Sequence, residues 1–183
     1  MKKQVPFSRV LDLGCGNSKR SGAVGVDFND RTDADIVHDL NQFPYPLEDS
    51  SFDEIYLDNV IEHLSDVIKV MEEVYRVSAD NALVKVIVPY FRSRWACIDP
   101  THCHFFSVDS FAYFDPDEEI FRRYNYSLAR FKVERVVFNE TIPGGLFKRL
   151  MVMIGNRWPR GYEGRLSHLY PLDDITFYLR AMK

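Results

Sequence analysis

Short apolar runs alternate along the chain with polar or helical segments. Runs rich in β-branched and aliphatic residues predict strands at 9–13, 23–27, 35–38, 53–58, 82–88, 130–138 and 174–182. Over 66–78 the apolar residues recur at helical spacing, and charged residues occupy the opposite face. Strands that alternate with helical segments indicate an α/β protein. The nearly continuous apolar run at 82–88 is typical of a strand buried on both faces of a parallel sheet.

The end of the chain departs from this alternation. A long insertion at about 139–172 separates the last two predicted strands. Because strands that reverse direction need no crossover helix, we expect these two strands to pair antiparallel.

Composition narrows the class of protein. The chain has 183 residues, 46% of them hydrophobic, which suits one globular domain over 1–183. A net charge of −4 without a basic stripe argues against a nucleic-acid partner. The three cysteines favour a reducing compartment, since an odd number does not form a disulfide framework. The first residues lack the apolar core of a signal peptide, and no apolar run reaches about 18 residues. We therefore expect a cytoplasmic protein with no transmembrane segment.

Two strand ends carry the most specific information. In Val10-Leu-Asp-Leu-Gly-Cys-Gly16 an apolar run ends in an acid and two glycines, which predicts a buried strand followed by a tight turn. The glycines allow the backbone to approach a small molecule closely. Asp27 follows the second predicted strand, where a carboxylate can accept both hydroxyls of a ribose. The two ends together predict a site for a nucleoside cofactor at the carboxyl edge of a parallel sheet.

The first connection decides which nucleoside is favoured. A pyrophosphate site needs Gly-x-Gly-x-x-Gly at the start of a helix, but Lys19 occupies the third glycine position. Only residues 17–23 remain before the second strand, too few for a full crossover helix. We expect that helix to be cut to about one turn, or the strand order to be locally altered. Both features argue against NAD or FAD and favour S-adenosylmethionine, which has no phosphate.

A series of motifs in a fixed order supports that choice. They are Leu11-Asp-Leu-Gly-Cys-Gly16, Gly25-Val-Asp27, His38-Asp39-Leu40, Phe43-Pro-Tyr-Pro46, Ser51-Phe-Asp-Glu-Ile55, Val60-Ile-Glu-His-Leu64, Glu73-Val-Tyr-Arg-Val77 and Val86-Ile-Val-Pro89. Their order and spacing resemble the class I S-adenosylmethionine-dependent methyltransferases, in particular the small type 11-like group. The resemblance implies a Rossmann-like α/β fold, with a mostly parallel seven-stranded sheet and one antiparallel strand.

The resemblance also implies a role for each residue of the cofactor site. Gly14, Cys15 and Gly16 would line the methionine part of the cofactor, and Asp12 would brace their loop. Asp27 would hold the ribose and Phe28 would lie against the adenine. Asp39 and Leu40 would contact the adenine edge, whereas Asp58 and Asn59 would border the methionine and the sulfonium. No metal ion is implied.

Several polar residues are candidates for chemistry on the acceptor. Methyl transfer is an in-line displacement at an activated sulfonium, so only some nucleophiles need a base. Residues 95–107 place Asp99, His102 and His104 among aromatic residues, in a segment that follows the fifth strand and resembles an Asp-Pro-Thr-His motif of the same group. We predict that His102 or His104 is the base, oriented by Asp99. Alternatively, these histidines only satisfy loop backbone and pack against neighbouring phenylalanines. His63 either contacts cofactor or substrate, or caps a helix.

Two further clusters have weaker signals. Cys97, His102, Cys103 and His104 match no common zinc spacing, and adjacent ligands are hard to direct at one tetrahedral ion. We therefore predict no metal. The segment 144–159 is apolar with three basic residues, which suits a lid, a partner contact, peripheral membrane contact, or packing on the sheet edge.

The predicted function is methyl transfer from S-adenosylmethionine to a small molecule or a glycan precursor. The alternative is a non-catalytic S-adenosylmethionine-binding domain that serves as a regulator or a partner subunit. The sequence does not determine the oligomeric state.

Overall fold

The computed structural model describes residues 9–140 and 144–183. Seven strands are present: β1 Val10–Leu13, β2 Val24–Asp27, β3 Ile36–Val37, β4 Phe52–Asp58, β5 Ser78–Pro89, β6 Phe131–Phe138 and β7 Asp174–Ala181. The α-helices are α1 Val67–Val77, α2 Arg94–Ile98, α3 Glu119–Tyr124, α4 Leu146–Arg157 and α5 Pro159–Arg165. Two short 3-10 helices span Ile61–His63 and Ala112–Phe114.

All seven strands form one sheet in the order β3-β2-β1-β4-β5-β7-β6. The pairs among β1 to β5 are parallel, whereas β7 lies antiparallel between β5 and β6. The predicted sheet is therefore confirmed, including its single antiparallel strand. Because the order reverses between β1 and β4, the loops after these strands diverge and leave a crevice at the carboxyl edge.

Burial explains why these segments become strands and helices. Leu11, Leu13, Ile55 and Leu57 are fully buried because they lie on the core-facing side of the central strands β1 and β4, whereas Glu54 and Tyr56 on the other face of β4 are half-buried. The amphipathic helix α1 buries Val70, Met71, Val74 and Val77 against the sheet. Its first turn is capped by Asp66, whose side chain accepts a hydrogen bond from the Lys69 amide. The helical prediction for 66–78 is confirmed to within one residue at each end.

The connection between β1 and β2 corrects the sequence prediction. It contains turns and no helical turn, and β2 still pairs directly beside β1 in the ordinary order. Asp12 braces this connection by accepting a hydrogen bond of 2.8 Å from the Arg20 amide. The Arg20 guanidinium lies 3.8 Å from the centre of the Tyr56 ring and pairs with Asp58. One arginine side chain thus covers part of β4 and ties this connection to its carboxyl end.

The insertion between β6 and β7 forms α4 and α5. Gly155 of α4 lies so close to Phe138 and Leu172 that an added Cβ would be 3.1 Å from each side chain. The Tyr162 hydroxyl of α5 donates to the Tyr170 carbonyl and accepts from the Leu172 amide. These contacts agree with packing on the sheet edge, the simplest of the interpretations above. Within 9–140 and 144–183, no helix is long and apolar enough to cross a membrane.

Candidate functional site

The turn after β1 requires glycine for two different reasons. Gly14 and Gly16 have φ angles of +67° and +50°, in the left-handed region that favours glycine. A Cβ on Gly14 would overlap the side chain of Val60, so this glycine also allows close packing. A Cβ on Gly16 would meet no atom within 4 Å. The turn therefore borders open space on the side of Gly16.

Asp27 connects the end of β2 to this turn. Its carboxylate is buried and accepts hydrogen bonds of 2.9 Å from the amides of Gly16 and Asn29. A carboxylate offers about four lone pairs, so two backbone donors leave acceptor capacity for a ligand. The Cys15 side chain is buried, and burial raises the pKa of its thiol to about 11, which keeps it protonated at neutral pH.

A first cleft of about 750 Å³ opens in front of these two strand ends. Its lining combines backbone, carboxylates and apolar side chains: Gly14, Asp27, Phe28, Asp39, Leu40, Asn41, Asn59, Val60, His63, Leu64 and Thr101. Phe28 is 76% exposed beside the buried Leu40, which leaves an apolar ring face free at the rim. Six of the ten residues predicted for the cofactor line this cleft, whereas Asp12, Cys15, Gly16 and Asp58 do not.

A second cleft of about 670 Å³ adjoins the first. Its lining is Asp58, Asn59, Glu62, His63, Ile87, Pro89, Trp95, Ile98, Asp99, His102, Asp173 and Asp174. Asn59 and His63 line both clefts, so the two spaces meet at these residues. The ends of β4, β5 and β7 contribute to the second cleft, together with α2 and the loop after it.

Hydrogen bonds fix the tautomer of His63. Asp99 accepts from the Thr101 hydroxyl at 2.7 Å and from the Thr101 amide at 2.9 Å. The hydroxyl has one proton, which it gives to Asp99, so it must accept from Nδ1–H of His63 at 2.8 Å. Nε2 of His63 therefore carries a lone pair. Burial and the neighbouring His102 lower the pKa of His63, which favours this neutral form.

The second histidine is held by backbone. Nδ1 of His102 lies 3.1 Å from the Ala96 carbonyl oxygen, which can only accept, and the ring centre is 4.6 Å from that of His63. Among the described residues, the Asp99 carboxylate hydrogen-bonds to Thr101 and not to the ring of His102 or His104. The reason is the turn of the backbone at 99–101, which directs the Asp99 carboxylate to Thr101. His104 is not among the lining residues of either cleft.

Glu62 is the residue that sequence reasoning missed. It is 1% exposed, and no other residue in the described part of the chain donates a hydrogen bond to either carboxylate oxygen. Burial is the main cause that raises the pKa of Glu62 to about 7, and the nearby Asp99 charge adds to it. Its motif position beside His63 gave the only signal, because sequence does not show that the 3-10 helix turns this carboxylate inward.

One group of described residues has the geometry to hold a metal ion. Glu62, His63 and His102 each offer a ligand atom, and these atoms lie within 4.8 Å of one another. Two imidazoles and a carboxylate are ligands that zinc and other transition metals accept. This set shares only His102 with the zinc cluster weighed from the sequence, whose Cys97 and Cys103 are exposed.

Comparisons with known proteins identify a methyltransferase sequence pattern and a methyltransferase fold. Residues 11–84 match the family model described as a methyltransferase domain. No curated protein matches the sequence. The fold is similar to an S-adenosylmethionine-dependent methyltransferase from Archaeoglobus fulgidus, with a TM-score of 0.57, 16% identity, and 98% of this chain and 87% of that chain covered.

Two further solved structures are similar in fold. An S-adenosylmethionine-dependent methyltransferase from Mesorhizobium loti has a TM-score of 0.57 and 16% identity, over 96% of this chain and 92% of that one. A phosphoethanolamine N-methyltransferase from Haemonchus contortus, in complex with S-adenosylhomocysteine, has a TM-score of 0.51 and 14% identity, over 98% of this chain and 49% of that one.

Residues 11–84 therefore carry the sequence pattern of a methyltransferase domain, and the fold of the chain is that of S-adenosylmethionine-dependent methyltransferases. The first two of these solved structures are S-adenosylmethionine-dependent enzymes, and the lining of the first cleft suits that cofactor. Gly14 lies where the methionine part would pass, Asp27 has acceptor capacity left for the ribose, and Phe28 offers a free ring face for the adenine.

Proposed function

We propose that this methyltransferase acts on a small molecule, such as a glycan precursor, that binds in the second cleft. The observation that carries the proposal is the meeting of the two clefts at Asn59 and His63. A group bound in one cleft would face a group bound in the other across this junction. The volume of the second cleft, about 670 Å³, lies in the ordinary range for a small-molecule ligand.

In this proposal the first cleft holds the cofactor by its two ends. Gly14, Cys15 and Gly16 face the methionine part, and Asp27 accepts the ribose hydroxyls with the lone pairs that the Gly16 and Asn29 amides leave free. Phe28, Asp39 and Leu40 border the adenine. Asn59 lies at the junction, where the reacting methyl group must be.

Asp12 and Asp58 contribute indirectly. The Asp12 carboxylate holds the Arg20 amide, and Asp58 pairs with the Arg20 side chain. Together they fix the connection between β1 and β2, in which no helix supports the glycine turn. Asp58 also lines the second cleft, so it faces the acceptor rather than the adenosine.

The cofactor supplies a methyl group that is already activated by the sulfonium, so the protein has to align the acceptor and remove its proton. His63 lines both clefts, and the lone pair on its Nε2 atom suits the role of base. Asp99 acts as a positioning residue through Thr101. His102 packs edge-on against His63 and restricts its ring.

Charge and cysteine chemistry support the remaining parts of the proposal. The carboxylates of the second cleft would repel phosphate groups, which supports a small acceptor instead of a nucleic acid. Cys15, Cys97 and Cys103 are all free thiols, which supports a location in the cytoplasm.

Calorimetry followed by a turnover assay tests this function. We expect S-adenosylhomocysteine to bind and Asp27→Ala to weaken that binding. With a panel of amine, hydroxyl and carboxylate acceptors, His63→Ala should reduce turnover while leaving cofactor affinity nearly unchanged. Absence of cofactor binding would contradict the proposal. Binding without turnover on any acceptor would instead favour the alternative, a regulatory or partner domain.

A further inference from the structure

The second cleft is dominated by carboxylates. Asp58, Glu62, Asp99, Asp173 and Asp174 line it, and of its described lining residues none is a lysine or an arginine. Arg20 neutralises Asp58 from outside the cleft, and Lys148 pairs with Asp173 at 2.5 Å. Three carboxylates therefore remain without an ion-pair partner among the described residues. The cleft carries more negative charge than its own protein surroundings compensate.

Several of these carboxylate oxygens also lack any hydrogen-bond donor. Both oxygens of Glu62 and one oxygen each of Asp58 and Asp174 are buried and receive no hydrogen bond from another residue within 9–140 and 144–183. Glu62 is 1% exposed and Asp174 is 8% exposed, so bulk water does not solvate them well. A buried polar group without a partner is costly, and native proteins retain one mainly where a ligand or another function satisfies it. A ligand that satisfies these carboxylate oxygens must bring hydrogen-bond donors.

The remaining lining is apolar. Ile87 and Pro89 from β5, together with Trp95 and Ile98 from α2, form the wall opposite the carboxylates. An occupant of this cleft would place its carbon skeleton against this wall and its donor groups toward Glu62 and Asp174. Such a molecule is small, partly apolar and carries several N–H or O–H groups.

Resting on the proposed methyltransferase function, we infer that the methyl acceptor is an amine that enters the second cleft as an ammonium ion. An ammonium group brings three hydrogen-bond donors and one positive charge. The donors suit the unpartnered carboxylate oxygens, and the charge offsets part of the negative charge of the cleft. An alcohol supplies one donor and no charge, and a carboxylate or a phosphate would be repelled. A metal ion bound by Glu62, His63 and His102 would leave the oxygens of Asp58 and Asp174 unpartnered, so the ammonium explains more of the site.

The chemistry balances with groups that are present. The ammonium first gives one proton to Nε2 of His63, which frees the nitrogen lone pair. The nitrogen then forms a bond to the methyl carbon, while the carbon–sulfur bond breaks and its electron pair goes to sulfur. The products are the N-methylated amine, with a positive charge that the carboxylates continue to stabilise, and S-adenosylhomocysteine. His63 returns its proton to solvent.

Matched ligand pairs test the inference. Calorimetry would compare the affinity of benzylamine with that of benzyl alcohol, and the affinity of glucosamine with that of glucose. Each ligand is measured with and without saturating S-adenosylhomocysteine. Benzoate serves as the anionic probe. We expect at least one amine to bind about tenfold or more tightly than its alcohol, because a charge-assisted hydrogen bond contributes about 1.5–3 kcal/mol. Glu62→Gln and Asp174→Asn should each remove most of this preference, while affinity for S-adenosylhomocysteine stays the same.

Glu48→Gln provides the control for charge, since Glu48 is an exposed carboxylate that precedes the opposite end of β4. Equal binding of amines and alcohols, tighter binding of benzoate, or an amine preference that survives both cleft variants would overturn the inference. A metal site would also overturn the inference. It would be indicated if Zn²⁺ or Mn²⁺ bound tightly, if Glu62→Gln abolished this binding, and if no amine displaced the metal ion. If S-adenosylhomocysteine does not bind while an amine does, the proposed function fails and the acidic cleft remains.

Discussion

The ionisation of Glu62 tests the structure of the second cleft directly, because its effect on stability can be measured in the protein without any ligand. Burial holds the pKa of its carboxyl at about 7, against an ordinary value of 4.5. A carboxyl whose pKa is raised by folding stabilises the folded state only while it is protonated. Its contribution is fully present below about pH 4.5 and is lost as the pH rises through 7. The wild-type protein therefore loses stability over this window because of this one group.

The size of the loss follows from the two pKa values. One pKa unit corresponds to about 1.4 kcal/mol, so ionising Glu62 in the folded protein costs about 3 kcal/mol above pH 8. Glu62→Gln keeps the shape of the side chain and removes the ionisation. We expect the variant to be about as stable as wild type near pH 4.5, and about 3 kcal/mol more stable above pH 8. This gain is a large fraction of the stability of an ordinary domain.

Urea denaturation at a series of pH values measures the difference directly. Asp174, whose pKa burial raises to about 6, titrates in both proteins, so its contribution largely cancels in the comparison. Glu48→Gln, which removes an exposed carboxylate, should show no such dependence on pH. The assignment of Glu62 as a buried carboxylate without donors would be refuted by either of two results. The difference in unfolding free energy between Glu62→Gln and wild type could stay constant from pH 5 to pH 8, or Glu62→Gln could be less stable than wild type at pH 8.

Three further predictions concern the cofactor turn and the base. Asp27→Ala should weaken S-adenosylhomocysteine binding by at least tenfold in calorimetry, because charge-assisted hydrogen bonds contribute about 1.5–3 kcal/mol each. Gly14→Ala should lower the free energy of unfolding more than Gly16→Ala does, since both positions have positive φ but only a Cβ at Gly14 overlaps Val60. His63→Ala should lower turnover by about 10²–10⁴-fold, and Thr101→Val should lower it less, by breaking the link to Asp99.

Each of these has a contradicting outcome. Unchanged affinity in Asp27→Ala would remove the ribose role of that carboxylate. Equal destabilisation by the two alanine variants would mean that backbone strain alone requires the glycines. For the base, the control is His168→Ala, an exposed histidine that lines neither cleft. Turnover that survives His63→Ala, or that falls equally in His168→Ala, would exclude His63 as the proton acceptor.

The sequence alone determined the parts of this protein that depend on local pattern. Short apolar runs located all seven strands, because a strand that packs in a core needs apolar side chains on at least one of its faces. The helical period at 66–78 located α1 in the same way. The two glycines and Asp27 marked the turn and the strand end. Glycine is favoured where φ is positive, and an acidic residue at the end of a strand can be read directly from the sequence.

Only the tertiary structure decided how distant side chains meet. Asp99 was expected to orient a neighbouring histidine, but it reaches His63 through Thr101, a contact between residues 38 positions apart. The connection between β1 and β2 is too short for a full helix, and the sequence does not show that Arg20 packs on Tyr56 of a different strand. Glu62 is buried where the distant loop at 103–104 packs against it and donates two amide hydrogen bonds to its carbonyl, and no local pattern encodes such burial.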